Sequence, residues 1–183
     1  GKLSSLNNIS KFMKSQGLDV SVKSIAAYLN YFRDAYLLLT VDRFDIHGKK
    51  LLESNEKIYF GDVGLRNLIA GGERQGDIEK ILENIVYQQL VRMGYAVSVG
   101  QLRAGEVDFV CTKSNERLYV QVAYLIASEE TEEREFGSLD NIKDNYPKYV
   151  ISMTPLVRRS DRQGVVHLGL REFLKNGFEK KLP

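Results

Sequence analysis

The sequence predicts an α/β (α+β) chain in two parts: a small helical unit carrying a β-hairpin over residues 1–70, then a mixed sheet flanked by helices over 71–183. Three observations lead there. Residues 106–111 and 118–123 are apolar, β-branched runs with period-two alternation around a polar turn containing Lys113 and Asn115, which reads as two strands joined by a hairpin. Two amphipathic stretches stand close together near the start and are followed by apolar runs flanking a glycine-containing turn. Beyond residue 76, helix-period and strand-period segments succeed one another, the pattern of a layered sheet-and-helix domain.

In chain order, Leu6, Ile9, Phe12 and Met13 give a first helix over 3–16 that Gly17 ends. Ser21 is placed to cap a second helix, whose stripe is Val22, Ile25, Leu29, Phe32 and Tyr36. Helix, short turn, helix is a helix-turn-helix pattern. The runs 37–46 and 57–60, parted by His47, Gly48, Lys49 and Lys50, complete it as a winged helix, and 61–70 adds a short helical turn. Gly71 to Gly76 reads as a linker. Ile78 to Met93 then carries a wide apolar face on a helix that Gly94 stops. Strands follow at 95–99, in the hairpin, at 148–153 and at 165–168, a sheet of about five strands. An acidic helix over 128–139 and a closing helix over 170–174 flank them.

The totals set limits. A chain of 183 residues holds one ordinary domain or two small ones, and 43% hydrophobic residues with mixed charge argue for a folded protein. A net charge of +2 is too small to imply nucleic acid on electrostatics alone. The one cysteine, Cys111, excludes a disulfide scaffold or a cysteine zinc site. No run approaches the roughly 18 apolar residues that span a bilayer and no signal peptide is visible, so a cytoplasmic protein without a membrane partner is expected. Gly1 in place of Met suggests a scar left by a tag, on a fragment of something longer.

Asp108 is the residue to explain, because a carboxylate in an apolar strand is costly unless a cation or hydrogen bond satisfies it. On alternation, Glu106 and Asp108 share one face, opposite Val107 and Phe109. A helix bearing Glu83, a strand, the Asp108 hairpin, a strand bearing Gln121 and a further helix resemble the PD-(D/E)XK nuclease-like fold. The fuller set is similar to the C-terminal domain of unknown function attached to bacterial and archaeal AAA-type ATPases, over nearly the whole chain. It comprises Lys57 to Arg66, Leu82 to Tyr87, Glu106 to Phe109, Gln121 to Tyr124, Glu133 to Phe136 and Ile142 to Tyr149. The resemblance implies an upstream ATPase module of the same chain. ATP would belong to that module, since no GxxxxGK[ST] loop occurs here.

Nucleases of that superfamily hold Mg²⁺ on a strand Asp and a second-strand Glu, with a Lys two residues further on and often a helix Glu. By resemblance Asp108 and Glu83 take the first and helix positions and would be the metal ligands of an active site. Gln121 stands at the second carboxylate and Ala123 at the lysine. An amide brings an oxygen without charge, and a methyl group stabilises nothing; one lost electrostatic donor costs about 3–4 kcal/mol in the transition state. Lys113 or Lys143 could stand in. Glu83 also reads as an ordinary helix-surface carboxylate, and Asp108 with Gln121 as hydrogen-bonded hairpin residues.

For DNA, the helical unit offers Lys23 and Arg33 on its second helix and Arg43, His47, Lys49 and Lys50 around the wing; phosphate contact and a solvated loop tip both stay open. Arg158, Arg159 and Arg162 form the densest basic cluster, read as a mobile loop, a DNA contact or the counterpart of the acidic helix. That helix (Glu129, Glu130, Glu132, Glu133, Glu135) is a solvated face or a dock for a basic partner or another subunit, a homo-oligomer. The tyrosines, Tyr28, Tyr31 and Tyr36 among them, read as core or interface residues. Two functions compete. One is a non-catalytic binding and regulatory module of the ATPase, with no cofactor of its own, contacting DNA or protein through a degenerate site. The other is an active Mg-dependent endonuclease.

Overall fold

The structure, a computed structural model, describes residues 5–70, 77–103, 105–155 and 160–179. The linker expected at 71–76, and Arg158 and Arg159 of the basic cluster, lie outside the described residues. Helices α1 (Leu6–Ser15) and α2 (Val22–Asp34) come first, then strands β1 (Leu38–Asp45) and β2 (Lys50–Phe60) and helix α3 (Val63–Ala70). Helix α4 (Ile78–Arg92), strands β3 (Ala96–Leu102), β4 (Gly105–Lys113) and β5 (Glu116–Ala123) and helix α5 (Glu129–Asp140) follow. Strands β6 (Lys148–Ser152), β7 (Ser160–Arg162) and β8 (Val165–Gly169) and helix α6 (Leu170–Asn176) close the order. Ser21 caps α2, its side chain accepting from the Ser24 N–H.

The expectation of about five strands is corrected: eight strands form one mixed sheet, in the order β2-β1-β3-β4-β5-β6-β8-β7. The additions are β7 and the hairpin β1–β2. Strand β1 pairs parallel with β3 through Arg43, Phe44 and Asp45, so the hairpin read as a wing is hydrogen-bonded into the sheet of the second part. Its outer edge is held as well. Asn84 of α4 accepts from the Phe60 N–H and donates to the Phe60 carbonyl, both at 2.8 Å, and Gln88 donates to the carbonyls of Phe60 and Gly61. An edge strand otherwise leaves such groups unpaired.

Two cores sandwich the sheet. Leu82, Val86, Tyr87 and Leu90 of α4 and Phe173 of α6 cover one face, over Val41, Tyr59, Val99, Phe109, Val120 and Ile151. Phe136 and Leu139 of α5, with Ile142, cover the other, over Val107, Val110, Tyr119 and Val150. Strict alternation fails in β4. Ser98 lies opposite Val110 but Gly100 opposite Val107, so β4 carries an extra residue, a β-bulge, between them. Val107 and Phe109, expected on one face, therefore pack into opposite cores.

Gly61 is required by a close approach. A Cβ there would drive into the Tyr36 carbonyl oxygen, while the Gly61 N–H donates to Leu37 O at 3.0 Å. Gly137, inside α5, faces open space. Gly61→Ala is expected to lower stability by about 1–3 kcal/mol, and Gly137→Ala to raise it by about 0.5–1 kcal/mol. Urea midpoints of the two variants moving in the same direction would refute the packing described for the end of β2.

Candidate functional site

The β4–β5 ladder ends at the pair Phe109–Val120, and the site begins where it ends. Beyond that pair, side chains replace the ladder. The Asp108 N–H donates to Gln121 Oε1 at 3.2 Å, and Asp108 Oδ2 accepts from the Val122 N–H at 2.9 Å. Gln121 Nε2 donates to Glu135 Oε2 of α5 at 3.1 Å, and Arg134 flanks Glu135 from the same helix. Gln121 is thus used at both ends of its amide.

Into this corner reaches a residue that the sequence reading did not single out. Lys57 of β2 is 2% exposed. Its Nζ lies 3.0 Å from Glu83 Oε2, 3.2 Å from Glu106 Oε1 and 3.6 Å from Asp108 Oδ1. Tyr59, two residues on, donates its hydroxyl to Glu83 at 3.3 Å and stacks on Tyr87, with ring centroids 4.7 Å apart. Arg43 of β1 bonds Glu106 Oε2 at 2.7 Å and also donates to Gln101. Three carboxylates from α4 and β4 thus face two cations from β1 and β2.

The charges respond to this enclosure. Burial opposes the Lys57 charge, yet Asp108, Glu83 and Glu106 together hold its ammonium above the ordinary lysine range. Asp108 is pushed up to about 7, by burial first and by the Glu83 charge next, against the pull of Lys57 and the Val122 N–H. With Asp108 protonated, Glu83 and Glu106 balance Lys57 and Arg43. Burial likewise raises the Tyr59 hydroxyl, with Glu83 adding to the effect.

The structure brings Glu83, Asp108 and Gln121 together and corrects three expectations. The stand-in lysine is neither Lys113, which donates to Met93 O, nor Lys143, which donates to Asp140 O. Glu83 is no ordinary surface carboxylate, since it binds Lys57 and Tyr59. Arg43, counted among the DNA contacts, is buried in the site, its backbone position inside β1 turning it toward Glu106 and away from the tip of the hairpin. Arg33 is paired with Glu56. Lys23, Lys49 and Lys50 are exposed, and so is His47 beside the Asp45 carboxylate that accepts the N–H groups of His47 and Gly48. Arg162 pairs with Glu132 of the acidic helix at 3.0 Å. Lys57 gave little signal, because together with Glu56 it stands at the polar edge of the apolar Ile58-Tyr59-Phe60.

The donor set does not fit Mg²⁺, which requires near-octahedral oxygens at about 2.0–2.1 Å. The point that the carboxylates share is filled by the Lys57 ammonium, and the Gln121 oxygen is turned to a backbone N–H. Among the described residues, no group of three or more His, Cys, Asp or Glu side chains is arranged to hold a metal ion. No helix among them is long and apolar enough to cross a membrane.

Comparison with known proteins gives three findings. Residues 1–76 match the model of a domain of unknown function, DUF8612. An uncharacterised protein of Haemophilus influenzae is 40% identical over 152 residues, covering 83% of this chain and 37% of its own length. An uncharacterised protein of Methanocaldococcus jannaschii is 32% identical over 146 residues, covering 76% of this chain and 31% of its own. The chain therefore spans about a third of the length of these relatives. No solved structure matches it significantly.

Removing Lys57 leaves buried carboxylates without their cation. Lys57→Met is expected to cost about 3–5 kcal/mol at neutral pH and less near pH 5, where Asp108 is protonated; equal losses at both pH values would count against the network. The Asp108 carboxyl, raised above its ordinary 3.8, contributes stability that is fully present below about pH 4 and is lost as the pH rises through about 7. Asp108→Asn is expected to abolish that loss. Urea midpoints between pH 4 and 8 should then show the variant gaining on the wild type by about 2–4 kcal/mol, and a constant gap refutes the assignment.

Proposed function

We propose that this chain is a non-catalytic binding and regulatory module of an AAA-type ATPase, in which a winged-helix-like N-terminal segment joins its hairpin to the sheet of a degenerate nuclease-like domain, and that it contacts DNA or a protein partner. One observation carries the reading: the carboxylates a nuclease would lend to a metal are engaged by the buried ammonium of Lys57. The amide of Gln121 completes the conversion, because it holds Asp108 and Glu135 in place without supplying charge. The segments that carry the family resemblance support the nuclease-like part. Lys57, Glu83, Glu106, Asp108, Gln121 and Glu135 come from five of its six quoted stretches and form one connected network. The greater length of the relatives is consistent with a further ATPase module on the same polypeptide. Lys23, Lys49 and Lys50 are the exposed cations available for phosphate.

A second reading, a metal-dependent phosphodiesterase, has one observation in its favour: a lysine does lie beside Asp108, although it arrives from β2.

Incubation with supercoiled and branched DNA in Mg²⁺ or Mn²⁺ separates the two. No cleavage above that of Asp108→Ala is expected; metal-dependent cutting that this substitution abolishes would establish the enzyme instead. Binding to the same DNA at low ionic strength, weakening with salt and with Lys49→Glu/Lys50→Glu, is expected of a DNA-contacting module. Its absence assigns the contact to protein.

A further inference from the structure

Pairing with β3 decides what stands beside the tip of the β1–β2 hairpin. Asp45 lies opposite Gln101 in the parallel β1–β3 ladder, and the Ile46 N–H extends the pairing by donating to Gln101 O at 3.1 Å. The residues that follow Ile46 therefore leave the sheet next to those that follow Leu102, where β3 turns into β4. Helix α2 leads into β1 at Leu37, the other end of a strand about 23 Å long.

One side chain braces both turns. Gln101 donates through Nε2 to Leu102 O at 2.9 Å and to Gly105 O at 3.1 Å, and its Oε1 accepts from Arg43. At the hairpin, Asp45 Oδ1 accepts from the N–H groups of His47 and Gly48. A Cβ at residue 48 would drive into Asp45 Oδ2, so this turn needs its glycine.

Three exposed cations stand here, Lys49 and Lys50 at the tip of the hairpin and Arg103 on the neighbouring turn, with His47 beside them. Arg103 joins the group only through the β1–β3 pairing, which no local pattern announces. Other arginines are paired, Arg33 with Glu56 and Arg162 with Glu132. Glu106 is taken by Arg43 and Lys57, which leaves Asp45, among the described residues of these turns, as the carboxylate opposing three cations. Leu51 is exposed alongside, but no apolar centre of the kind that protein interfaces are built around surrounds it. Cations on short, braced turns fit the phosphodiester backbone of nucleic acid, where contacts give affinity without sequence choice.

We propose that Lys49, Lys50 and Arg103 form one phosphate-contacting edge, laid against the backbone of double-stranded DNA. The proposal rests on the DNA-contacting reading above and sets the hairpin to work with the β3–β4 turn rather than with Lys23 of α2.

Fluorescence anisotropy of the whole chain with short DNA duplexes, read over a series of KCl concentrations, tests it. Three phosphate contacts give a slope of about −3 for log affinity against log salt. Arg103→Gln, at an exposed turn, is expected to weaken binding a few-fold, equally for two unrelated sequences, and to bring the slope nearer zero by about 1. Lys49→Gln is expected to do the same. Arg171→Gln, at an exposed residue beyond β8, five strands from β1, should change neither. Salt-sensitive binding that keeps its slope in Arg103→Gln overturns the shared edge, and its loss in Lys23→Gln instead returns the contact to α2; both results leave the DNA-contacting function in place. Displacement of the duplex by polyglutamate as readily as by DNA overturns the edge in favour of an acidic protein. No salt-sensitive binding at all overturns both the edge and the DNA reading.

Discussion

An ammonium group shut away from water must be surrounded by negative charge, and Lys57 meets that requirement only if β2, α4 and β4 come together at one point. The residues that neutralise it lie 26 to 51 positions along the chain. The hairpin is thereby tied to the sheet at its inner edge by β-pairing and at its outer edge by Asn84 and Gln88. Between the two, the charges favour one register: a slip of one residue in β2 would turn Lys57 away from the carboxylates and bring Ile58 or the like-charged Glu56 to face them. Such networks add little net stability, because desolvation offsets most of the Coulomb attraction, but they penalise alternative arrangements heavily. Here that penalty falls on any separation of the two halves of the chain.

The same constraint reshapes the chemistry. A carboxylate cluster recruits a divalent ion when its charge is uncompensated, and two internal cations remove that condition. Gln121 belongs to the same balance of charge. A carboxylate at its position would meet Glu135 at 3.1 Å on the α5 side, with Asp108 close by on the other. An amide donates to Glu135 and accepts from the Asp108 N–H, turning a repulsive contact into two hydrogen bonds. Glutamine on β5 and lysine on β2 therefore form one compensated set, and neither residue is fully intelligible without the other.

Much of this was readable in advance, and the misses have physical reasons. Asp108 stood out because a charge in an apolar run is costly wherever the run folds, and Glu83 through the family resemblance. Lys57, next to Glu56 at the edge of its apolar run, gave no such signal, and a strand assigned to a separate unit gave no reason to bring it near Asp108. The two-residue period misplaced Val107 relative to Phe109 because the bulge in β4 arises from its pairing with β3, which no local pattern encodes. Strand β7, only three residues long, has too few positions for a period to show. Tyr28 and Tyr31 of α2 were read as core or interface residues on composition; they are exposed, and aromatic character alone does not tell a core from a surface.

The buried and exposed ends of the N-terminal segment are linked through a short path. Gly61, at the end of β2, receives the close approach of Tyr36, and its N–H is bonded to Leu37, the residues that leave α2. Two residues before it, Tyr59 rests on Tyr87 and reaches Glu83, the carboxylate that holds Lys57. The direction in which α2 leaves the sheet is therefore fixed by the same strand that carries the buried ammonium.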